Sequence, residues 1–301
     1  MATLKDILNR INGVRNTSKI TQAMSMVSTA KLRRAQKSIE SARPYFKKLA
    51  AILANLVESV GEEYKNPLVQ KPKETNNYVF IVIASDRGMC GSFNNSLFRE
   101  AIDHFELKIK KANPKASVKI IAVGKRTVQF FRKRDYEVLK EYSDVFASLN
   151  FSLAKDINAQ VQNRFLHHDI DKVIIFFNEF KNVLIQKPAS LTLLPIEQEE
   201  KAANVNEQKS KINVDYIFEP NQTEILDELL PKHLDIQVWR ALLESHAAEH
   251  AARRMAMENA TNNAKDLIIH LEMVFNKKRQ EKITTEMLEI VTGANALKKG
   301  S

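Results

Sequence analysis

KHLDIQVWRALLESHAAEHAARRMAMENATNNAKDLIIHLEMVFNKKRQEKITTEMLEIVT, residues 232–292, runs for sixty-one residues without a glycine or a proline. More than half of it is Ala, Leu, Glu, Lys, Met and Arg, the best helix formers. Its apolar residues recur at steps of three and four: Val238, Leu242 and Leu243, then Ala256, Ala260 and Ala264, then Leu267, Ile268, Leu271, Val274 and Phe275. That spacing lines one helical face. At about 1.5 Å per residue such a helix spans roughly 90 Å, against about 40 Å for a compact domain of this chain length. A stripe that long requires an equally long partner, and the pattern predicts a coiled coil.

The partner is legible at the other end of the chain. Residues 1–60 carry Leu4, Ile7, Leu8, Ile11 and Val14, continued by Ile20, Met24, Val27 and Ala30 and later by Leu49, Ile52, Leu53, Leu56 and Val60. Thr3 and Asp6 suit a helix start, and Pro44 is expected to bend or break the helix. Ala23, Met24, Met26 and Ala30 form a face that allows close helix approach. Two long terminal helices imply an antiparallel pair, with a plain bundle stripe as the competing reading.

Between them the period changes. Tyr78–Ala84 reads as a buried strand, 94–112 as a helix, 118–123 as a strand, 124–134 and 153–168 as helices, 172–177 as a strand and 184–194 as an extended segment. Strands alternating with helices predict a parallel-type, Rossmann-like α/β layer. Residues 61–77 read as a linker, 197–213 as a polar surface loop and 215–220 as a short strand, with Asn221 to Glu224 capping the last helix. The expected fold is thus α/β: a long antiparallel coiled coil of the N- and C-terminal helices (1–60 and 221–301) with an inserted Rossmann-like α/β domain (61–220, core 78–195).

Composition narrows the function. The 301 residues carry a formal charge of +10, which can serve nucleic acid, an anionic membrane surface or an acidic protein partner. Residues 1–60 hold eleven Lys and Arg against three acids, whereas 232–292 hold nine of each sign. The single cysteine, Cys90, excludes an internal disulfide and fits a reducing compartment. No apolar run approaches a membrane span and no signal or transit leader is evident, so membrane association is expected only through a partner.

Each chemical candidate has a plainer alternative. The loop Ser85 to Ser92, with Gly88 and Gly91, follows a strand and precedes a helix, where open α/β sheets bind phosphates. It matches neither GxGxxG nor GxxxxGK[ST], and a tight structural turn is the simpler reading. Cys90 lacks a recognisable base and reads better as a small buried residue. His246 and His250 stand four apart, but Glu249 is misplaced for an HExxH centre and further ligands are not evident. Lys31, Arg33, Arg34 and Lys37 could track phosphates, yet no aromatic interleaves them. Arg279 and Gln280, among Lys277, Lys278, Glu281 and Lys282, suit solvent or a polar catch on a partner's carboxylates. The sequence nominates no catalytic residue, cofactor or metal site.

Three stretches in order carry a resemblance. Ile20-Thr-Gln-Ala-Met-Ser-Met-Val-Ser-Thr-Ala-Lys-Leu-Arg-Arg-Ala-Gln36 is the first and Ser85-Asp-Arg-Gly-Met-Cys-Gly-Ser-Phe-Asn94 the second. The third combines Glu249–Ala260, Phe275–Thr284 and Glu289-Ile-Val-Thr-Gly-Ala294. Together they resemble the gamma subunit of the F-type ATP synthase, over nearly all of residues 1–297. Ser25 and Ser92 depart from that pattern, where Glu and Gly are common.

The resemblance implies a central-stalk rotor, itself non-catalytic, whose rotation couples transmembrane proton flow to ATP synthesis or hydrolysis in an alpha/beta hexamer. By motif match, Met24, Arg253, Arg279, Gln280 and Thr284 engage the hexamer. Ser41, Ala42, Arg43, Pro44 and Tyr45, with Tyr216, Ile217, Phe218 and Glu219, form the foot toward the membrane c-ring and the epsilon subunit. Residues 288–297 enter an apolar bearing at the head. A single cysteine implies no thiol control, and the absence of a leader implies a bacterial source, at the cytoplasmic face of the inner membrane. The alternatives are a nucleotide-binding α/β enzyme dimerised through its terminal helices, or a basic coiled-coil adaptor for nucleic acid.

Overall fold

The computed structural model describes residues 3–60, 66–70, 72, 74–196 and 221–299. The loop 197–213, the strand expected at 215–220 and the foot residues Tyr216, Ile217, Phe218 and Glu219 lie outside them. Two compact units are present, one of Met1–Thr29 with Arg253–Ser301 and the other of Ala30–Ala252. The two terminal helices, α1 (Leu4–Val60) and α6 (Gln222–Lys299), contribute to both.

Both helices start on reciprocal caps. Asp6 N donates to Thr3 Oγ1 at 3.2 Å while Thr3 N donates to Asp6 Oδ2 at 2.9 Å, which holds the Asp6 carboxyl below its ordinary range. At α6, Glu224 N donates to Asn221 Oδ1 at 2.8 Å and Asn221 Nδ2 to Glu224 Oε1 at 2.6 Å. Pro44 does not break α1, which runs on through it, and α6 likewise runs through Pro231. Each proline deprives the carbonyl four residues earlier of its donor. Those carbonyls belong to Glu40 and Asp227, both exposed residues, where water can replace the missing amide.

In the first unit the helices pair antiparallel. Ile7, Ile11 and Leu271 are buried together, flanked by Val14, Ile268, Val274 and Phe275. Arg15 Nη2 meets Glu272 Oε1 at 3.2 Å, and further along Thr21 Oγ1 lies 2.6 Å from Thr261 Oγ1. The stripe expected at Ile20, Met24, Val27 and Ala30 is not the contact face. Ile20 and Val27 are 60% and 57% exposed, whereas Thr21 and Ser28 are buried. A heptad seam begun at Ile7, Ile11 and Val14 continues to Ser18, Thr21, Ser25 and Ser28. The predicted stripe sits one residue, about 100° of helix, away from it. Ala23 and Met26 likewise face outward.

The second unit is built on a five-stranded sheet, in the order β3-β2-β1-β4-β5. Strands β1 (Asn77–Ile83), β2 (Ser117–Val123), β3 (Val138–Tyr142) and β4 (Lys172–Phe180) run parallel. The edge strand β5 (Gln186–Leu194) pairs antiparallel with β4, so the layer is mixed rather than parallel throughout. Strand β3 escaped the sequence reading because Val-Leu-Lys-Glu-Tyr is neither a continuous apolar run nor an alternating one. Helices α2 (Phe93–Asp103), α4 (Lys125–Arg132) and α5 (Phe151–Leu166) make the crossovers. The helix expected at 94–112 contains a π turn, His104–Ile109, before the short α3 (Lys110–Ala112).

Period-two alternation divides β1 between two cores. Phe80, Val82 and Ala84 face α2 and α4, among Leu97, Phe98, Phe105 and Phe131. Val79, Ile81 and Ile83 face the other way, toward Ile157 and Val161 of α5, Leu53 and Leu56 of α1, and Leu230, Leu234, Val238 and Leu242 of α6. The inserted domain is therefore packed against parts of both terminal helices. Still within this unit, Leu32 and Ala35 of α1 are buried with Ala247 and Ala251 of α6.

Candidate functional site: helix surfaces and the loop after the first strand

The loop after β1 lies at the point where the strand order reverses, the usual ligand crevice of an open α/β sheet. Its own side chains occupy it. Asp86 Oδ1 accepts from Lys125 N at 3.0 Å and from Asp144 N at 2.9 Å, and its Oδ2 accepts from Phe146 N at 3.2 Å. Lys125 opens α4, so this carboxylate caps the helix after β2, while at the start of α2 Phe93 N donates to Cys90 O at 3.3 Å. Ser85 Oγ lies within 2.6 Å of Arg87 O and 2.9 Å of Asn94 Oδ1, and Asn94 Nδ2 donates to Cys90 Sγ at 3.3 Å. Cys90 is 2% exposed and packs with Phe93 and Ala248. The motif is a structural clasp joining the ends of β1, β2 and β3.

His246 and His250 face each other, Nε2 to Nε2 at 3.0 Å, and Phe146 stacks on His246. Among the described residues no group of three or more His, Cys, Asp or Glu is placed to hold a metal. Lys31, Arg33, Arg34 and Lys37 are all exposed, flanking the buried Leu32 and Ala35 on α1.

The residues matched to partner contacts fall into two groups. In the first unit, Met24 is half-buried, Arg253 is buried and engaged within the protein, and Arg279, Gln280 and Thr284 are exposed. Thr284 Oγ1 donates back to Gln280 O at 3.0 Å. In the second unit, Ser41, Arg43, Pro44 and Tyr45 are exposed and Ala42 is half-buried. Tyr45 edges a groove of about 470 Å³ with Phe151, Lys155, Gln162 and Lys232. That groove had no signal in the sequence, because its walls come from three segments far apart in the chain.

The first unit also exposes apolar surface in two places. Ile20, Met26 and Val27 project from α1, and Ile269 and Met273 from α6. From Glu281 to Asn295 every residue of α6 is exposed, including Ile283, Met287, Leu288, Ile290 and Val291. Isolated exposed hydrophobics are ordinary, but a run along a helix marks an interaction surface.

Paired terminal helices bracketing an inserted α/β sheet, with apolar side chains left outward, define a class of protein: a helical element that presents its surface to other chains. Known proteins specify which. A family model described as ATP synthase matches residues 3–297. The ATP synthase gamma chain of Prosthecochloris aestuarii is 46% identical over 302 residues, covering 99% of each chain. That of Chloroherpeton thalassium is 43% identical over 305 residues, covering 100% of each. Among solved structures, a chain of the Euglena gracilis mitochondrial ATP synthase OSCP/F1/c-ring assembly superimposes with a TM-score of 0.64 at 21% identity, covering 99% of this chain and 95% of its own. A chain of the Tetrahymena thermophila mitochondrial central stalk and c-ring does so at 0.58 and 23%, covering 80% and 99%. This chain belongs to the ATP synthase gamma-chain family.

Proposed function

We propose that this protein is the central-stalk rotor of a proton-driven ATP synthase, a non-catalytic subunit that transmits rotation between a membrane c-ring and an alpha/beta catalytic hexamer. The observation that carries it is the outward apolar surface of the first unit. A stable monomer would bury Ile20, Val27, Ile283, Met287 and Ile290 or replace them with polar residues; a shaft inside a sleeve needs them outside. Arg279, Gln280 and Thr284, with Met24 and Arg253, are the contacts assigned to the hexamer. Ser41, Ala42, Arg43, Pro44 and Tyr45, with Tyr216, Ile217, Phe218 and Glu219, are assigned to the ring and the epsilon subunit. Residues 288–297 are assigned to the bearing at the head. No helix among the described residues is long and apolar enough to cross a membrane; attachment is assigned to the complex, at the cytoplasmic face of a bacterial inner membrane.

A nucleotide-binding enzyme is disfavoured by the loop after β1, whose side chains bond to one another, and a nucleic-acid adaptor by the absence of aromatics interleaving the run Lys31, Arg33, Arg34 and Lys37. Reconstitution with the alpha and beta subunits tests the proposal. One copy per hexamer is expected to co-purify, and omission should abolish cooperative ATP hydrolysis. Substantial ATPase by the chain alone would overturn the proposal, as would tight salt-dependent DNA binding at physiological salt.

A further inference from the structure

Along the seam of the first unit, α1 changes character. Ile7, Ile11 and Val14 pack against Ile268, Leu271, Val274 and Phe275. The next four heptad positions are Ser18, Thr21, Ser25 and Ser28, all hydroxyl residues where a coiled coil ordinarily places Leu, Ile or Val. Ser28 is 3% exposed and satisfies itself on Met24 O at 2.8 Å, within its own helix. Beside this stretch a groove of about 290 Å³ opens between the helices, lined by Gln22, Ser25, Met26, Arg254, Glu258 and Asn262 among others. Apolar interdigitation is therefore replaced here by small polar side chains and open space.

The bond from Thr21 to Thr261 crosses that stretch. Both residues are buried, at 8% and 7% exposure, and their hydroxyl oxygens are 2.6 Å apart. Thr21 Oγ1 also lies 3.0 Å from Ser18 O, and Thr261 Oγ1 2.8 Å from Met257 O. Three contacts share two hydroxyl hydrogens. One hydroxyl therefore donates across the seam while the other donates to its own helix. If either partner is removed, the survivor keeps its own-helix carbonyl, so neither substitution strands a buried polar group.

We infer that Thr21 and Thr261 are a positioning pair, which sets the rotational phase of α6 against α1 in the hydroxyl-lined stretch and contributes little to holding the helices together. Buried polar pairs in coiled coils act in this way, giving a unique alignment at some expense of stability. The pair thereby orients the side chains around the groove, from Gln22 and Met26 on one helix to Glu258 and Asn262 on the other. The inference does not depend on the rotor assignment.

The test uses the full chain, alone and assembled with its partners, spin-labelled at Gln22→Cys and Asn262→Cys; native Cys90 is buried. The parent is expected to give one narrow label–label distance. In the Thr21→Val/Thr261→Val double variant the distribution should widen at least about twofold while the thermal midpoint stays level or rises. Thr21→Ser/Thr261→Ser, which restores both hydroxyls, should return the parent width. An unchanged width in the double variant overturns the inference, as does a widening that serine does not rescue. Unfolding of the double variant also overturns it, because the pair would then be holding the helices together rather than aligning them.

Discussion

Gly124 is the position where a single added methyl group should do most damage. It links β2 to α4 at φ +96°, a region that L side chains rarely adopt. A Cβ built there would lie 2.1 Å from Ala84 O, 2.9 Å from Ala84 C and 3.1 Å from Ser85 O. None of these atoms belongs to a flexible side chain. Gly124 N donates to Tyr142 O at 2.7 Å and Ala84 N to Val123 O at 3.0 Å, so relief requires parting the ends of neighbouring strands. The conformational strain costs about 1–3 kcal/mol, and each disrupted hydrogen bond about 1 kcal/mol more. Gly124→Ala should therefore destabilise the inserted domain by roughly 3–5 kcal/mol, a large part of the 5–15 kcal/mol typical of a domain. Urea unfolding followed by the fluorescence of Trp239, the single tryptophan, reads this unit directly. Gly13→Ala is the control. Nothing lies within 4 Å of the Cβ it would add, and in mid-helix it should stabilise by about 1 kcal/mol, read by circular dichroism. A Gly124→Ala protein within about 1 kcal/mol of the parent would refute the close approach of the β2–α4 turn to β1.

Three further outcomes follow from other parts of the molecule. Leu56 is fully buried between α1 and the sheet, so Leu56→Ala should cost about 2–5 kcal/mol in the same urea assay, and a loss under about 1 kcal/mol would remove α1 from the core. His104, in the π turn against Phe80 and Phe176, has its pKa pushed below 6.5, first by burial and then by Lys108 and, more weakly, Lys172. Its neutral form is the one the fold prefers, so its contribution is intact above pH 6.5 and declines as pH falls below that value. His104→Phe should flatten that acid-side decline, and melting curves between pH 7.5 and 5 that keep the parent's slope would count against it. Arg279 is exposed, so Arg279→Ala should leave stability within about 0.5 kcal/mol while weakening ATP-driven proton pumping relative to hydrolysis in membrane vesicles; unchanged coupling would remove Arg279 from the proposed contact with the hexamer.

The sequence by itself determined the two terminal helices, their caps at Thr3 and Asn221, and the strands whose apolar runs are continuous. These rest on local rules, in which residues three, four or two apart report on one another. Only the tertiary structure decided which face of α1 is the seam. The stripe through Ile20, Met24 and Val27 and the seam through Thr21, Ser25 and Ser28 lie one residue apart. Hydrophobicity favours the first, and heptad continuity from Ile7 dictates the second. Nor could the chain alone announce β3, whose place depends on pairing with β2, or the clasp at Asp86, whose carboxylate gathers amides from positions 125, 144 and 146. Interactions between residues distant in sequence leave no period to read, whereas at the seam two periods compete within α1 and the packing against α6 selects the heptad one.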